Sequence, residues 1–243
     1  MKKIKVLFSL VIFLALPSIS YAELEDWGFR PNLGFDVQAR TQNFETGYGD
    51  KHFSHRYPDV NFYIGTYMHK YLGFEVGYEY MFQQDKNSFY NTPMPALGFL
   101  NAVAQDSSYI SHVSMQGPHF DVKGYWAVLK KTEIEFSLGL AWLKAQYQTM
   151  LFQDGGNAAN RPTIWKSDRR SVLRLGLGCK HMLSEHFGAR LQYVWSNTSK
   201  LDTTIPVGVD VGGVAIPVSM SHNFTTKPKN SHLVGLGFYY QAT

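Results

Sequence analysis

Leu72-Gly73-Phe74-Glu75-Val76-Gly77-Tyr78-Glu79-Tyr80 sets large apolar side chains at every second position, with Gly or Glu between them. Successive side chains of a strand point to opposite faces. The segment therefore has one bulky apolar face and one face of Gly and carboxylate. Ile134-Glu135-Phe136-Ser137-Leu138-Gly139-Leu140-Ala141-Trp142 and Phe187-Gly188-Ala189-Arg190-Leu191-Gln192-Tyr193-Val194-Trp195 repeat the pattern. Each follows a short polar turn and ends in an aromatic residue on its apolar face. A tilted strand that crosses a bilayer needs about 9 to 11 residues, so the length fits.

Working outward from these three, the partner strands alternate too. Phe62, Ile64, Thr66 and Met68 share one face before a turn at His69-Lys70. Phe120, Val122, Trp126 and Val128 do so before Lys130-Lys131, and Leu173, Leu175, Leu177 and Cys179 before Leu183-Ser184-Glu185. An opening strand carries Leu33, Phe35, Val37 and Ala39 outward, and a closing strand carries Val234, Leu236, Phe238 and Tyr240. Eight strands result. Their connections alternate between short turns and long loops, the latter at roughly residues 43–58, 83–117, 148–168 and 196–230, an asymmetry expected of an outer-membrane barrel. Within the last loop, residues 205–220 read as a hairpin around Gly212-Gly213 whose arms hold Pro206 and Pro217. It is expected to cap the barrel from outside, or, in the alternative, to add two strands and make ten. Residues 96–104 are expected to form a short amphipathic helix.

The chain begins with Lys2, Lys3 and Lys5, an apolar run over residues 6–16, and Ser20-Tyr21-Ala22. That is the layout of a signal peptide over residues 1–22, cleaved between Ala22 and Glu23, leaving one barrel domain over residues 23–243. Cleavage removes three lysines, so 20 cationic side chains face 19 acidic ones and the formal charge falls from +4 to +1. Nothing in that balance calls for a nucleic-acid partner. Charged residues make up 17% of the chain against about 25% in a typical soluble domain, while aromatics reach 15%. Cys179 is the sole cysteine, so no internal disulfide forms.

A soluble β-sandwich also alternates. The second face separates the two: it holds Gly34, Gly65, Gly73, Gly77, Gly139, Gly176, Gly178, Gly188, Gly235 and Gly237 with ionisable groups between them. Gly and charge suit a narrow filled lumen, and the bulky face suits lipid. The turn-plus-strand element at residues 72–78, its echo at 187–193 and the ending Val234-Gly235-Leu236-Gly237-Phe238-Tyr239-Tyr240 resemble the OmpA-like or opacity-type eight-stranded outer-membrane barrels. The resemblance spans residues 27–241. It implies an antiparallel transmembrane up-and-down barrel in the outer membrane of a Gram-negative bacterium, monomeric, with working loops at the cell surface. It also implies contact with outer-membrane lipid and lipopolysaccharide, and recognition of the C-terminal strand by the barrel-assembly machinery. Here Gln241-Ala242-Thr243 follow the final aromatic residue, a departure from the family ending, and no peptidoglycan-binding domain is expected after it.

The inward face is expected to hold Asp36, Glu75, Glu79, Asp121 and Glu135 against Arg40, Lys123, Arg174, Lys180 and Arg190. Equal numbers favour an ion-paired plug over a channel lining, with Glu75 and Arg190 as direct partners because they sit at equivalent positions of their repeats. Tyr80, Trp142, Trp195, Phe238 and Tyr240 form the expected aromatic belt, the first three at the interface opposite the turns. Histidines 52, 55, 112, 119, 222 and 232 read as solvated loop residues, and no metal or cofactor site is expected. His52-Phe53-Ser54 and His112-Val113-Ser114 place a His and a Ser on one strand side, as a base-activated serine requires. PagL-type lipid A deacylases use such an element, but their fuller run is missing here, since Trp195-Ser196-Asn197 has Trp where His is needed. The expected role is structural or surface interaction, as in adhesion or envelope integrity, through loops that meet a host or envelope ligand. A small-solute porin is the runner-up and a lipid hydrolase the third reading.

Overall fold

The computed structural model describes residues 27–44, 53–90, 107–153, 163–199, 203–204, 207–211, 214–218, 225–226 and 228–242. The expected signal peptide, its Ala22-Glu23 cleavage site and the helix over residues 96–104 lie outside these residues.

The strands are β1 (Trp27–Phe44), β2 (Arg56–His69), β3 (Leu72–Tyr90), β4 (Ser107–Leu129), β5 (Thr132–Gln153), β6 (Thr163–Met182), β7 (Phe187–Ser196), β8 (Thr203–Thr204), β9 (Val207–Val211), β10 (Val214–Val218), β11 (Thr225–Thr226) and β12 (Pro228–Gln241). Strands β1 to β7 pair in sequence order, and β12 closes the ring between β7 and β1, all antiparallel. Val37 opposite Leu236 and Gly237 opposite Arg190 set the two closing registers. The ten-stranded alternative is therefore wrong. β9 and β10 pair with each other in a separate two-stranded sheet, because β12 already occupies both free edges of the ring. At the turn end the connections are knit together: Met182 N–H donates to the Lys131 carbonyl at 2.8 Å and Gln241 N–H to the His186 carbonyl at 2.7 Å.

Sequence patterning governs the wall. Leu33, Val37, Phe62, Ile64, Val76, Phe136, Leu177, Leu191 and Leu236 are all exposed, while Asn61, Tyr63, Glu75 and Glu79 between them are buried. A polar interior inside an apolar exterior is the arrangement a closed sheet needs in lipid, where ring closure pairs every backbone group. Of the expected belt residues, Tyr80, Trp142, Phe238 and Tyr240 are exposed and Trp195 is half-buried. Tyr240 lies at the turn end, its ring 5.3 Å from that of Phe187. Tyr80 and Trp142 lie midway along β3 and β5 and Trp195 next to the end of β7, all away from the turns, so rings flank the apolar band on both sides.

Two expectations about length fail. The loops assigned to residues 83–117 and 148–168 are largely strand: β3 runs to Tyr90, β4 begins at Ser107, β5 runs to Gln153 and β6 begins at Thr163. β4 has 23 residues, which at about 3.3 Å per residue and a tilt of about 40° advances roughly 55 Å, against an apolar band about 25 Å tall. The wall therefore projects well past the bilayer. The reason is an inversion of polarity along the strands. On β5 the outward side chains are apolar through Trp142 and then become Lys144, Gln146 and Gln148, while the inward ones change from Glu135, Ser137 and Gly139 to Leu143, Ala145 and Tyr147. On β4, Gln116 and Ser114 face out where Met115 and Val113 face in. Beyond Trp142 the sheet is built like a water-soluble barrel, polar outside and apolar inside.

Candidate functional site: the filled lumen

All ten ionisable residues expected in the lumen are buried there, none more than 3% exposed. Their ion pairs form two groups, joined through His119 and Asn61. Arg190 on β7 is the hub of the first: Nη2 and Nε bond the Asp36 carboxylate of β1 at 2.5 and 3.0 Å, and Nη1 lies 2.5 Å from Glu75 Oε2 of β3. The guanidinium also packs 3.7 Å from the centre of the Tyr63 ring. Fork-like bonding of this kind is the strongest that an arginine makes. Lys123 Nζ bridges Glu75 at 3.4 Å and Glu135 at 3.6 Å. Arg174 bonds Glu79 and lies 3.4 Å from Asp121. Arg40 binds Asp59 at 2.8 Å and Glu79 at 3.0 Å.

Asp59 was not among the expected acids, although it is 1% exposed and occupies an inward position of β2. It makes six buried carboxylates against five arginines and lysines. His119, expected in a solvated loop, is 1% exposed on β4 and completes the set. Its Nδ1 lies 3.0 Å from Asp121 Oδ2 and its Nε2 2.9 Å from Asn61 Oδ1, and Asn61 is oriented by donating its amide to Asp36 at 3.0 Å. Both ring nitrogens thus face acceptor oxygens. Each of the six carboxylates has an arginine or lysine nitrogen within 3.6 Å, the local partner that a buried charge requires. Close packing depends on missing side chains as well. A Cβ at Gly139 would collide with the Asp121 carboxylate, and one at Gly237 with that of Asp36.

Aromatic and apolar groups close both ends. Toward the turns, Tyr67 and Tyr125 stack at 4.3 Å, and the Lys180 ammonium sits 5.0 to 5.3 Å from the rings of Tyr67, Tyr125 and Tyr239, with Glu135 3.7 Å away. Toward the loops lies a feature that was not anticipated, a core of Phe44, Phe53, Tyr57, Met81, Val113, Met115, Ala145 and Tyr147. Phe53, from the segment before β2, is fully buried between Phe44 and Tyr147, with both ring centres 5.7 Å away. Burial pushes the Tyr147 phenol well above its ordinary range, and Asp168 adds to the effect. The signal for this core was present in the sequence as the inward series Leu143, Ala145, Tyr147, in phase with Glu135 but apolar.

The remaining candidates are engaged elsewhere. His112 is buried on β4, not solvated: Nε2 lies 2.7 Å from Gln148 Oε1 and Nδ1 3.3 Å from Asp85, so its nitrogens are committed away from Ser114. Ser54 donates to the Arg56 carbonyl at 3.1 Å, and His52 and His222 lie outside the described residues. His232 is on the outer face of β12, 2.7 Å from the Tyr193 hydroxyl. Glu75, His119 and Asp121 bring possible metal-ligand atoms within 4.8 Å of one another. Each already faces partners, however, and Arg190, Lys123 and Arg174 fill the cationic positions around them.

No family model and no curated protein matches the chain. Solved structures of low identity do. Neisserial surface protein A is 10% identical with a TM-score of 0.44, covering 87% of this chain and 96% of that one. The outer membrane protein OprG from Pseudomonas aeruginosa is 12% identical at 0.45, covering 89% and 97%. Ail, the attachment invasion locus protein of Yersinia pestis, is 12% identical at 0.37, covering 89% and 99%. The fold assignment rests on the strand pairing itself, which is that of an eight-stranded up-and-down barrel.

Proposed function

We propose that this chain is an integral outer-membrane protein of a Gram-negative bacterium, a monomer with a sealed lumen, whose role is structural or one of surface interaction. Its partners would be outer-membrane lipid and lipopolysaccharide around the wall, the assembly machinery at the C-terminal strand, and an envelope or host ligand at the loop end. The observation that carries this reading is the filled interior: a network of ion pairs with no charged member more than 3% exposed, flanked by an apolar core on the loop side and stacked tyrosines on the turn side. A conducting pore needs a continuous wet path, and such a path would have to pass both the Arg190 hub and the Phe53 core. A lipid hydrolase needs a free histidine beside a serine, and His112 is bonded to Gln148 and Asp85.

Liposome swelling with the purified, refolded protein tests the proposal. Swelling at the rate of protein-free vesicles is expected for small sugars and amino acids. Rapid swelling would put the porin reading first.

A further inference from the structure

We infer that Lys144 and Arg169, on the outer wall just beyond Trp142, form a binding site for the phosphate groups of an outer-leaflet glycolipid; this rests on the membrane reading above. Lys144 on β5 and Arg169 on β6 are direct cross-strand partners. Side chains so paired share a face, with Cβ atoms about 5 Å apart, and like charges placed this way repel. In the lumen, by contrast, the neighbouring cations Lys123 and Arg190 are separated by Glu75 and Glu135. No such acid stands here. Asp168 is taken by Arg170, 3.2 Å away, and among the described residues neither the Lys144 nor the Arg169 side chain has an ion-pair partner.

The position of the pair supplies the second argument. Trp142 ends the unbroken run of apolar outward residues on β5, and Lys144 is the next residue on that face. The pair therefore sits where the wall leaves hydrocarbon, the depth at which lipid phosphates lie and at which basic side chains attract anionic headgroups. Gln116, the partner of Lys144 across β4, and Gln146 and Ser167, the next cross-strand pair, add uncharged donors around it. Two cations with neutral donors, on a surface facing the headgroup layer, suit a phosphate attached to a sugar headgroup.

Native mass spectrometry of the refolded protein in detergent, titrated with diphosphorylated lipid A, tests the inference. Wild type should retain the lipid, and Lys144→Gln with Arg169→Gln should weaken retention about thirty-fold, at about fivefold per basic residue near a headgroup layer. Dephosphorylated lipid A should bind wild type as weakly as the intact lipid binds the variant. Lys130→Gln with Lys131→Gln, at the turn end, should change retention less than threefold. Equal retention by the Lys144/Arg169 variant, equal binding of the dephosphorylated lipid, or an equal loss in the turn variant would overturn the inference, as would competition by inorganic phosphate at matched concentration. Each variant is checked for wild-type heat-modifiable gel migration. Failure of the wild type to enter lipid vesicles would instead refute the membrane reading.

Discussion

Replacing Arg190 by Gln should destabilise the barrel more than replacing Glu75 by Gln, although the two groups bond each other at 2.5 Å. The asymmetry follows from what each removal leaves behind. Without the Glu75 charge, Arg190 keeps its fork to Asp36, and Lys123 keeps Glu135 at 3.6 Å. The loss is then one charged hydrogen bond, about 1.5 to 3 kcal/mol. Without Arg190, both Asp36 and Glu75 lose their nearest cation inside a closed interior, and stranded buried charge typically costs about 3 to 5 kcal/mol. The double variant should recover part of that loss, because Glu75 no longer needs a partner, while Asp36 still does. Adding Asp36→Asn should recover more. Equilibrium unfolding in urea, in lipid vesicles and followed by tryptophan fluorescence, measures all four proteins. The reasoning fails if Arg190→Gln costs no more than Glu75→Gln, or if the losses add to within about 0.5 kcal/mol, the scatter of independent sites.

Leu138→Arg should cost roughly 2 to 4 kcal/mol as a lipid-facing cation, whereas Gln146→Arg, eight residues on along the same face but past the inversion, should stay within about 0.5 kcal/mol; equal costs in the same unfolding assay would refute the change of surroundings at Trp142. Gly139→Ala, small as it is, should cost about 1 to 3 kcal/mol by overpacking against the Asp121 carboxylate, and a neutral result would show that the lumen has room to spare. An unboiled sample should migrate faster than a boiled one on a denaturing gel, since a closed ring offers detergent no edge to peel; identical mobility would refute closure.

The wall inside the apolar band was legible because the outward positions are apolar without interruption from Leu72 to Tyr80, Ile134 to Trp142 and Phe187 to Trp195, while Gly and ionisable residues recur on the inward ones. Nine-residue runs of period two need no tertiary information. The projecting wall was not legible, because beyond Trp142 the same period continues with its sense reversed, and a reading that expects apolar side chains outside ends its strand at Trp142 and begins a loop at residue 148. On β4 the reversal coincides with Gly117-Pro118, where the β4–β5 pairing skips from Gln116 to His119. A proline beside a glycine reads locally as a turn. His119 was misplaced for that reason. Asp59 was lost at a predicted loop border, just beyond the last residue assigned to the loop. Which strand neighbours supply the partners for an inward charge depends on register around the ring, and that is fixed by closure of β12 on β1, which local pattern cannot express.

Under the sealed-lumen proposal, the inversion also explains how so much charge can sit in a narrow barrel without making it a channel. A ring of carboxylates and guanidiniums alone would draw water in from either end, and solvated side chains would be partly exposed. Here the network is buried, with Phe53, Met115 and Tyr147 packed on one side of it and stacked Tyr67 and Tyr125 on the other. The loop-side cap exists only because the wall continues past the bilayer with its apolar face turned inward. Strand extension, inward apolar packing and a sealed ion network are thus one construction. It leaves the outer surface of the projecting wall as the part of this protein free to meet other molecules, and Lys144 and Arg169 stand at its base.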